Sequence, residues 1–161
     1  MIVRQKFKKG SSLVEVIVAV SIILLVLSSI YGVHVFYIKT VFSNLNKVRA
    51  TFLLEEGMEA VKLVRDSDWV AFSNVPVATN RFLSFDGSSW QIVSTNTFVD
   101  SLFERKVVLT KIKRDTTSGT VGSGGGVFDD GTRKVIVTVS WKDGTATTSR
   151  SMSTYVTNFA Q

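Results

Sequence analysis

The chain has 161 residues, with 19 Lys and Arg against 13 Asp and Glu, a formal charge of +6 and no cysteine. Its length allows one small domain beside a membrane segment, and the absence of cysteine excludes disulfides, thiol catalysis and Cys-based metal sites. Four of the basic residues, Arg4, Lys6, Lys8 and Lys9, fall in the first ten positions, which hold no acid; setting them aside leaves 15 against 13. The basicity is therefore a signal of membrane topology rather than of nucleic-acid binding.

Directly after Gly10 an almost purely apolar run begins, and the 23 residues from Val16 to Ile38 contain no Asp, Glu, Lys or Arg. A helix of that length reaches roughly 35 Å, enough for a bilayer core of about 30 Å. Glu15 sits at the mouth of the run. A charge near the bilayer centre costs at least ~2.5–3.5 kcal/mol, so a partner for this carboxylate is expected. A secretory signal has an apolar core of only about 7–15 residues. An uncleaved signal anchor would share the topology, with the basic segment in the cytoplasm, but it gives Glu15 no purpose.

The stretch Lys8-Lys9-Gly10-Ser11-Ser12-Leu13-Val14-Glu15, followed by the apolar helix, resembles the type IV prepilin signature. That family comprises pilins, minor pilins and the pseudopilins of secretion and DNA-uptake machines. The resemblance implies cleavage between Gly10 and Ser11 by a prepilin peptidase at the cytoplasmic face. It further implies N-methylation of Ser11, and an assembly salt bridge in which Glu15 meets the amine of a neighbouring subunit. One departure is Ser11 itself, where the family most often has Phe.

The helical pattern continues beyond the run. Val41, Leu45, Val48 and Phe52 recur at four, three and four residues, followed by Met58, Val61 and Val64. No proline interrupts the chain before Pro76, so one helix from Ser12 to about Arg65 is expected, with Gly32 and Gly57 as weak points. Its first half is apolar all round, and its second half is expected to bury one stripe against the chain's own domain. Gly32 stands near where many pilins carry a helix-loosening proline. Glu55, Glu56 and Glu59 lie within five residues, but Lys62 and Arg65 follow, and a solvated, salt-bridged face is the expectation. His34 lies within the apolar helix with no second ligand in view and reads as a packing residue.

Asp66-Ser67-Asp68 closes the helix, and Ser73 to Gly87 reads as loop. Strands are expected over Trp90–Ser94, Phe103–Lys113, Arg133–Trp141 and Thr145–Val156. In the third, Val135, Val137, Val139 and Trp141 form one apolar face at a period of two. Asp143-Gly144 marks a hairpin. Trp69, Trp90 and Tyr155 are expected in the core. The glycine-rich segment Ser118–Gly126 lacks the Gly-Lys-Ser/Thr ending of a phosphate-binding loop and opens no helix, so it reads as a loop between strands. Asp129 and Asp130 near its end are weak calcium candidates without EF-hand spacing.

The expected fold class is thus α+β, a long N-terminal helix packed on a small antiparallel sheet of three to five strands. The organisation is a leader over residues 1–10, a transmembrane or filament-core helix over 11–39, an amphipathic half over 40–68 and a β domain over 69–161. The ending Arg150–Phe159, with Val137–Trp141, resembles minor pilins and pseudopilins, and Leu54–Trp69 is similar to pilin-like proteins. The family resemblance implies a structural subunit, with a pseudopilin or a tip adhesin or DNA-binding subunit as alternatives. It implies as partners other pilin subunits, the prepilin peptidase, an inner-membrane assembly platform and, before assembly, membrane lipid. Its expected location is a single pass of the cytoplasmic membrane, then an extracellular or periplasmic filament. No nucleophile–base pair, metal spacing or cofactor motif stands out, so neither enzymatic activity nor a cofactor is expected.

Overall fold

The computed structural model describes residues 9–122 and 126–159, with side chains from Leu13 onward. The element order is α1 (Lys9–Ser67), α2 (Trp69–Ser73), β1 (Arg81–Phe85), β2 (Trp90–Val93), β3 (Glu104–Arg114), β4 (Val127–Asp143) and β5 (Ala146–Thr157). Contacts divide the chain into two compact units, with the boundary between Leu45 and Asn46.

In the first unit α1 is exposed almost throughout from Leu13 to Leu45, and it is long and apolar enough to cross a membrane. Four of its hydroxyls are satisfied within the helix. Ser21, Ser28, Ser29 and Thr40 donate to the carbonyls of Ile17, Leu24, Leu25 and Phe36 at 2.7–2.9 Å. Such bonds hide polar groups from an apolar surrounding at no cost in partners.

The second unit packs the rest of α1 against one five-stranded antiparallel sheet of order β2-β1-β3-β4-β5. The helix face that meets the sheet is Ala50, Leu54, Gly57, Met58 and Val61, all buried. Here the structure corrects the expected stripe. Met58 and Val61 belong to it, but Val48 and Phe52 are 53% and 65% exposed. The small residues decide this choice of face. A Cβ on Gly57 would stand 3.0 Å from Val137 Cγ1 and 3.1 Å from Arg105 Cδ, so the backbone comes closer to the sheet there than a bulkier residue permits.

α1 ends at Ser67, and extended Asp68 caps α2, its carboxylate accepting from the Ala71 N–H at 3.0 Å. α2 carries Phe72, fully buried, into the core. β1 lies where loop was expected. Its sequence hides the strand because Phe82 and Leu83 are adjacent and both buried, one on each face, so no alternation shows. The next turn is built on Asp86, which accepts from the N–H groups of Ser88 and Ser89 and from Gln91 Nε2. Those bonds hold its carboxyl well below the usual carboxylate range.

β3 and β4 pair along their length but for a bulge, where Lys111 faces Arg133 and Ile112 faces Asp129. Asp130, Gly131 and Thr132 are left without partners on β3. The buried Arg133 guanidinium fills this gap, donating to the carbonyls of Asp129, Asp130 and Thr132 and to that of Ser73 at the end of α2. The Asn158 N–H donates to the Gly131 carbonyl at 2.9 Å. The bulge lengthens β4 from the expected Arg133–Trp141 to Val127–Asp143.

The β4–β5 hairpin follows the Asp-Gly signal with a shift of one residue. Asp143 pairs with Ala146, so the turn residues are Gly144 and Thr145, with Gly144 at φ 66°. A positive φ at the first turn position alone is the arrangement that glycine there favours. The inward face of β4 is as expected: Val135, Val137 and Val139 are fully buried and Trp141 is 2% exposed.

Candidate functional site

The residues expected to be processed lie at the start of α1. Gly10 and Ser11 are helical in backbone, since α1 begins at Lys9, three residues before the expected start at Ser12. The Ser11 side chain and the leader before Lys9 lie outside the described residues. Glu15 is exposed on α1, and among the described residues no ion pair reaches it. One turn of helix separates it from Ser11. A carboxylate on an otherwise uncharged helix surface is suited to meet a cation that the chain itself does not bring to it.

The acidic cluster further along divides between two tasks. Glu59 pairs with Lys62 at 2.7 Å on the solvent side, as expected, whereas Arg65 turns to its neighbour Asp66. Glu56 instead reaches the sheet and accepts from Arg105 at 2.8 Å. Arg105 is 3% exposed, its guanidinium 5.0 Å from the centre of the Trp90 ring. Sequence reasoning missed this pair. Its signal is parity: Phe103, just before β3, shares one side with Arg105, Val107 and Leu109, so a charge at core parity demands an opposite charge within reach. His34 is exposed on the apolar helix.

Trp69 and Trp90 are half-buried against the core. Tyr155 corrects the expectation that placed it inside: it is 52% exposed, because its register partner Lys134 puts it on the face of the sheet away from α1. The glycine-rich segment does connect two strands; residues 123–125 lie outside the described residues. Beside it, Asp129 Oδ2 accepts from Arg114 Nε at 2.9 Å and Oδ1 from the Gly131 N–H at 2.9 Å. Burial pushes the Asp129 carboxyl up, but its bonds to Thr132, Arg114 and Gly131 outweigh that and hold it below the ordinary range. Both oxygens are occupied by the protein's own donors. Asp130 faces Lys111 at 3.7 Å. Among the described residues no three His, Cys, Asp or Glu side chains come together as a metal site.

No curated protein and no solved structure matches the chain. The helix start is where the chain is similar to known proteins: residues 5–31 match the prokaryotic N-terminal methylation motif, the signal of the type IV pilin family.

Proposed function

We propose that the chain is a structural subunit, of minor pilin or pseudopilin kind, in a type IV pilus-like filament. The motif implies a substrate of prepilin peptidase, and together with the apolar helix it suggests membrane anchoring. The observation that carries the reading is the exposed, uncharged helix surface from Val16 to Ile38, which follows the motif's Glu15 directly. So much apolar surface is tolerated only in lipid or against other apolar helices, and a filament subunit meets both in succession.

In this reading residues 1–10 are the leader, 11–39 the membrane and filament-core segment, 40–68 the amphipathic half and 69–161 the β domain. The leader stays in the cytoplasm and the sheet unit lies on the far side. Cleavage after Gly10 frees the amine of Ser11, which is then methylated, and Glu15 becomes the fifth residue of the mature chain. In the assembled core the carboxylate of Glu15 meets the Ser11 amine of an adjacent subunit. Leaving either charge unpaired there is costly, so the pair fixes the stagger between subunits. The partners are like subunits, the prepilin peptidase and the membrane assembly platform. The mechanism is assembly rather than catalysis.

The test is the intact mass of the protein extracted from its native membrane. A mass matching Ser11–Gln161, with or without one methyl group, is expected. A mass matching the full chain overturns the reading, because Glu15 then loses its amine partner.

A further inference from the structure

We propose that the free edge of β5 is a docking site for an extended segment of a different protein. That segment adds to the sheet as a further antiparallel strand and sets a carboxylate opposite Arg150. The inference goes beyond the filament reading and does not rest on it.

The first observation is an edge left open. β5 stands last in the sheet, runs for 12 residues and pairs with β4 in an unbroken register from Asp143–Ala146 to Thr132–Thr157. Among the described residues no strand lies on its other side. Long edges are usually blunted by proline, by several charges or by a bulge. β5 has no proline, no bulge and a single charge, Arg150.

The second observation is which backbone groups point outward. The register continues past Thr132–Thr157 to Gly131 and Asn158, where the Asn158 N–H donates to the Gly131 carbonyl at 2.9 Å. Antiparallel pairs alternate between bonded and unbonded, so the even-numbered residues of β5 turn their N–H and C=O groups to β4. Thr147, Ser149, Ser151, Ser153 and Tyr155 therefore send theirs toward the open edge, and all five residues are exposed. An incoming strand meets a row of donors and acceptors already spaced for a ladder.

The third observation is the shelf beside that edge. Val135, Val137 and Val139 of β4 are fully buried, yet their register partners on the same side, Thr154, Met152 and Arg150, are not. Met152 is 38% exposed and Arg150 is exposed, so the cover that α1 gives the sheet stops at β4. Among the described residues no carboxylate pairs with Arg150. Toward an added strand, Arg150 falls in an unbonded pair, where Cα atoms stand about 4.5 Å apart and side chains are closest. A carboxylate at that point meets the guanidinium, and an apolar residue two positions along covers Met152.

Charge identifies the occupant. A second copy of this chain has two free sheet edges to offer, β5 itself and β2. β5 contains no acid and would bring another Arg150, and β2, Trp90-Gln91-Ile92-Val93, is short and uncharged. Neither supplies the carboxylate, so the strand comes from another chain.

The full-length protein in detergent would be titrated with a dye-labelled peptide, Thr-Val-Thr-Glu-Thr-Val-Thr, and read by fluorescence anisotropy. Its Lys-centred counterpart and a peptide with the sequence of β5 would be run beside it. Saturable binding of the Glu-centred peptide is expected, several-fold tighter than either of the others. Ser151→Pro removes an outward N–H without touching the β4 ladder, and it should weaken binding roughly tenfold or more. Arg150→Glu, at an exposed position outside the core, should reverse the preference between the Glu and Lys peptides. No binding, binding indifferent to Ser151→Pro, or a preference that Arg150→Glu leaves in place overturns the proposal. Tighter binding of the β5 peptide overturns it too and gives the edge to a second copy. The intact mass from the native membrane tests the filament reading separately, and neither result decides the other.

Discussion

Between Leu13 and Leu45, α1 leaves nearly every side chain exposed; between Asn46 and Ser67 the same helix buries Ala50, Leu54, Met58, Ala60 and Val61. The backbone geometry is common to both stretches, so what differs is the solvent each sequence calls for. The first stretch is apolar on all sides and has no face to turn inward. The second mixes charges with small residues, and Gly57 lets the sheet approach on one side. Helical propensity alone does not say where a helix is buried. The distribution of charge and volume around it does.

The sharpest way to break this comparison is to change one residue in the first stretch. Glu15→Ala is expected to leave membrane insertion intact and to remove the protein from filaments altogether, read by fractionation and by blotting of sheared filaments. Normal incorporation would sink the proposed amine–carboxylate pair. In the second unit the converse is expected. Trp141→Ala empties a site that is 2% exposed, facing Phe103 at 6.0 Å between ring centres. It should cost about 3–5 kcal/mol in unfolding of the detergent-solubilised chain while insertion is unaffected.

Gly57→Val tests the close approach itself. Branched methyls there meet Val137 and Arg105, and a loss of about 1–3 kcal/mol is expected by denaturant titration. A neutral result would mean that the sheet can retreat, and the small-residue explanation of the buried face would fail.

The smallest effect is that of pH, and it belongs to the sheet unit alone. Asp86, Asp115 and Asp129 are all held below the ordinary carboxylate range: Asp86 and Asp115 by backbone N–H groups of Ser89 and Ser118 first, Asp129 by its bonds outweighing burial. A carboxyl depressed on folding stabilises above its unfolded pKa, and that contribution is lost as pH falls through the folded value. Thermal stability should therefore be flat near neutrality and fall below about pH 4. Asp129→Asn should remove part of the acid slope. An unchanged slope would mean that the Arg114 and Gly131 contacts carry no net stabilisation.

Much of the architecture was legible in the sequence because it is written in local patterns. The uncharged run, the alternation Val135–Trp141 and the Asp-Gly hairpin each depend on residues a few positions apart. β1 was not legible, since adjacent Phe82 and Leu83 are buried on opposite faces and their neighbours in space, Lys106 and Gly57, are distant in sequence. Of the site residues, Glu15 stood out because it is a charge beside an apolar run. Arg105 did not, because its partner Glu56 lies 49 residues away.

The sequence by itself determined that a helix would begin near Ser12, run without a break to about Arg65 and start with a stretch too apolar for water. It determined too that strands would follow and pair in antiparallel fashion, because hydropathy period and turn chemistry are properties of neighbouring residues. Which side of the second half of α1 the sheet would cover was decided only by tertiary structure. Two apolar stripes competed for it, and the one with Ala50, Gly57 and Ala60 allows the closer contact with β1, β3 and β4. Val48 and Phe52 were left facing out, and that outcome depends on volumes meeting across the chain, which no local pattern records.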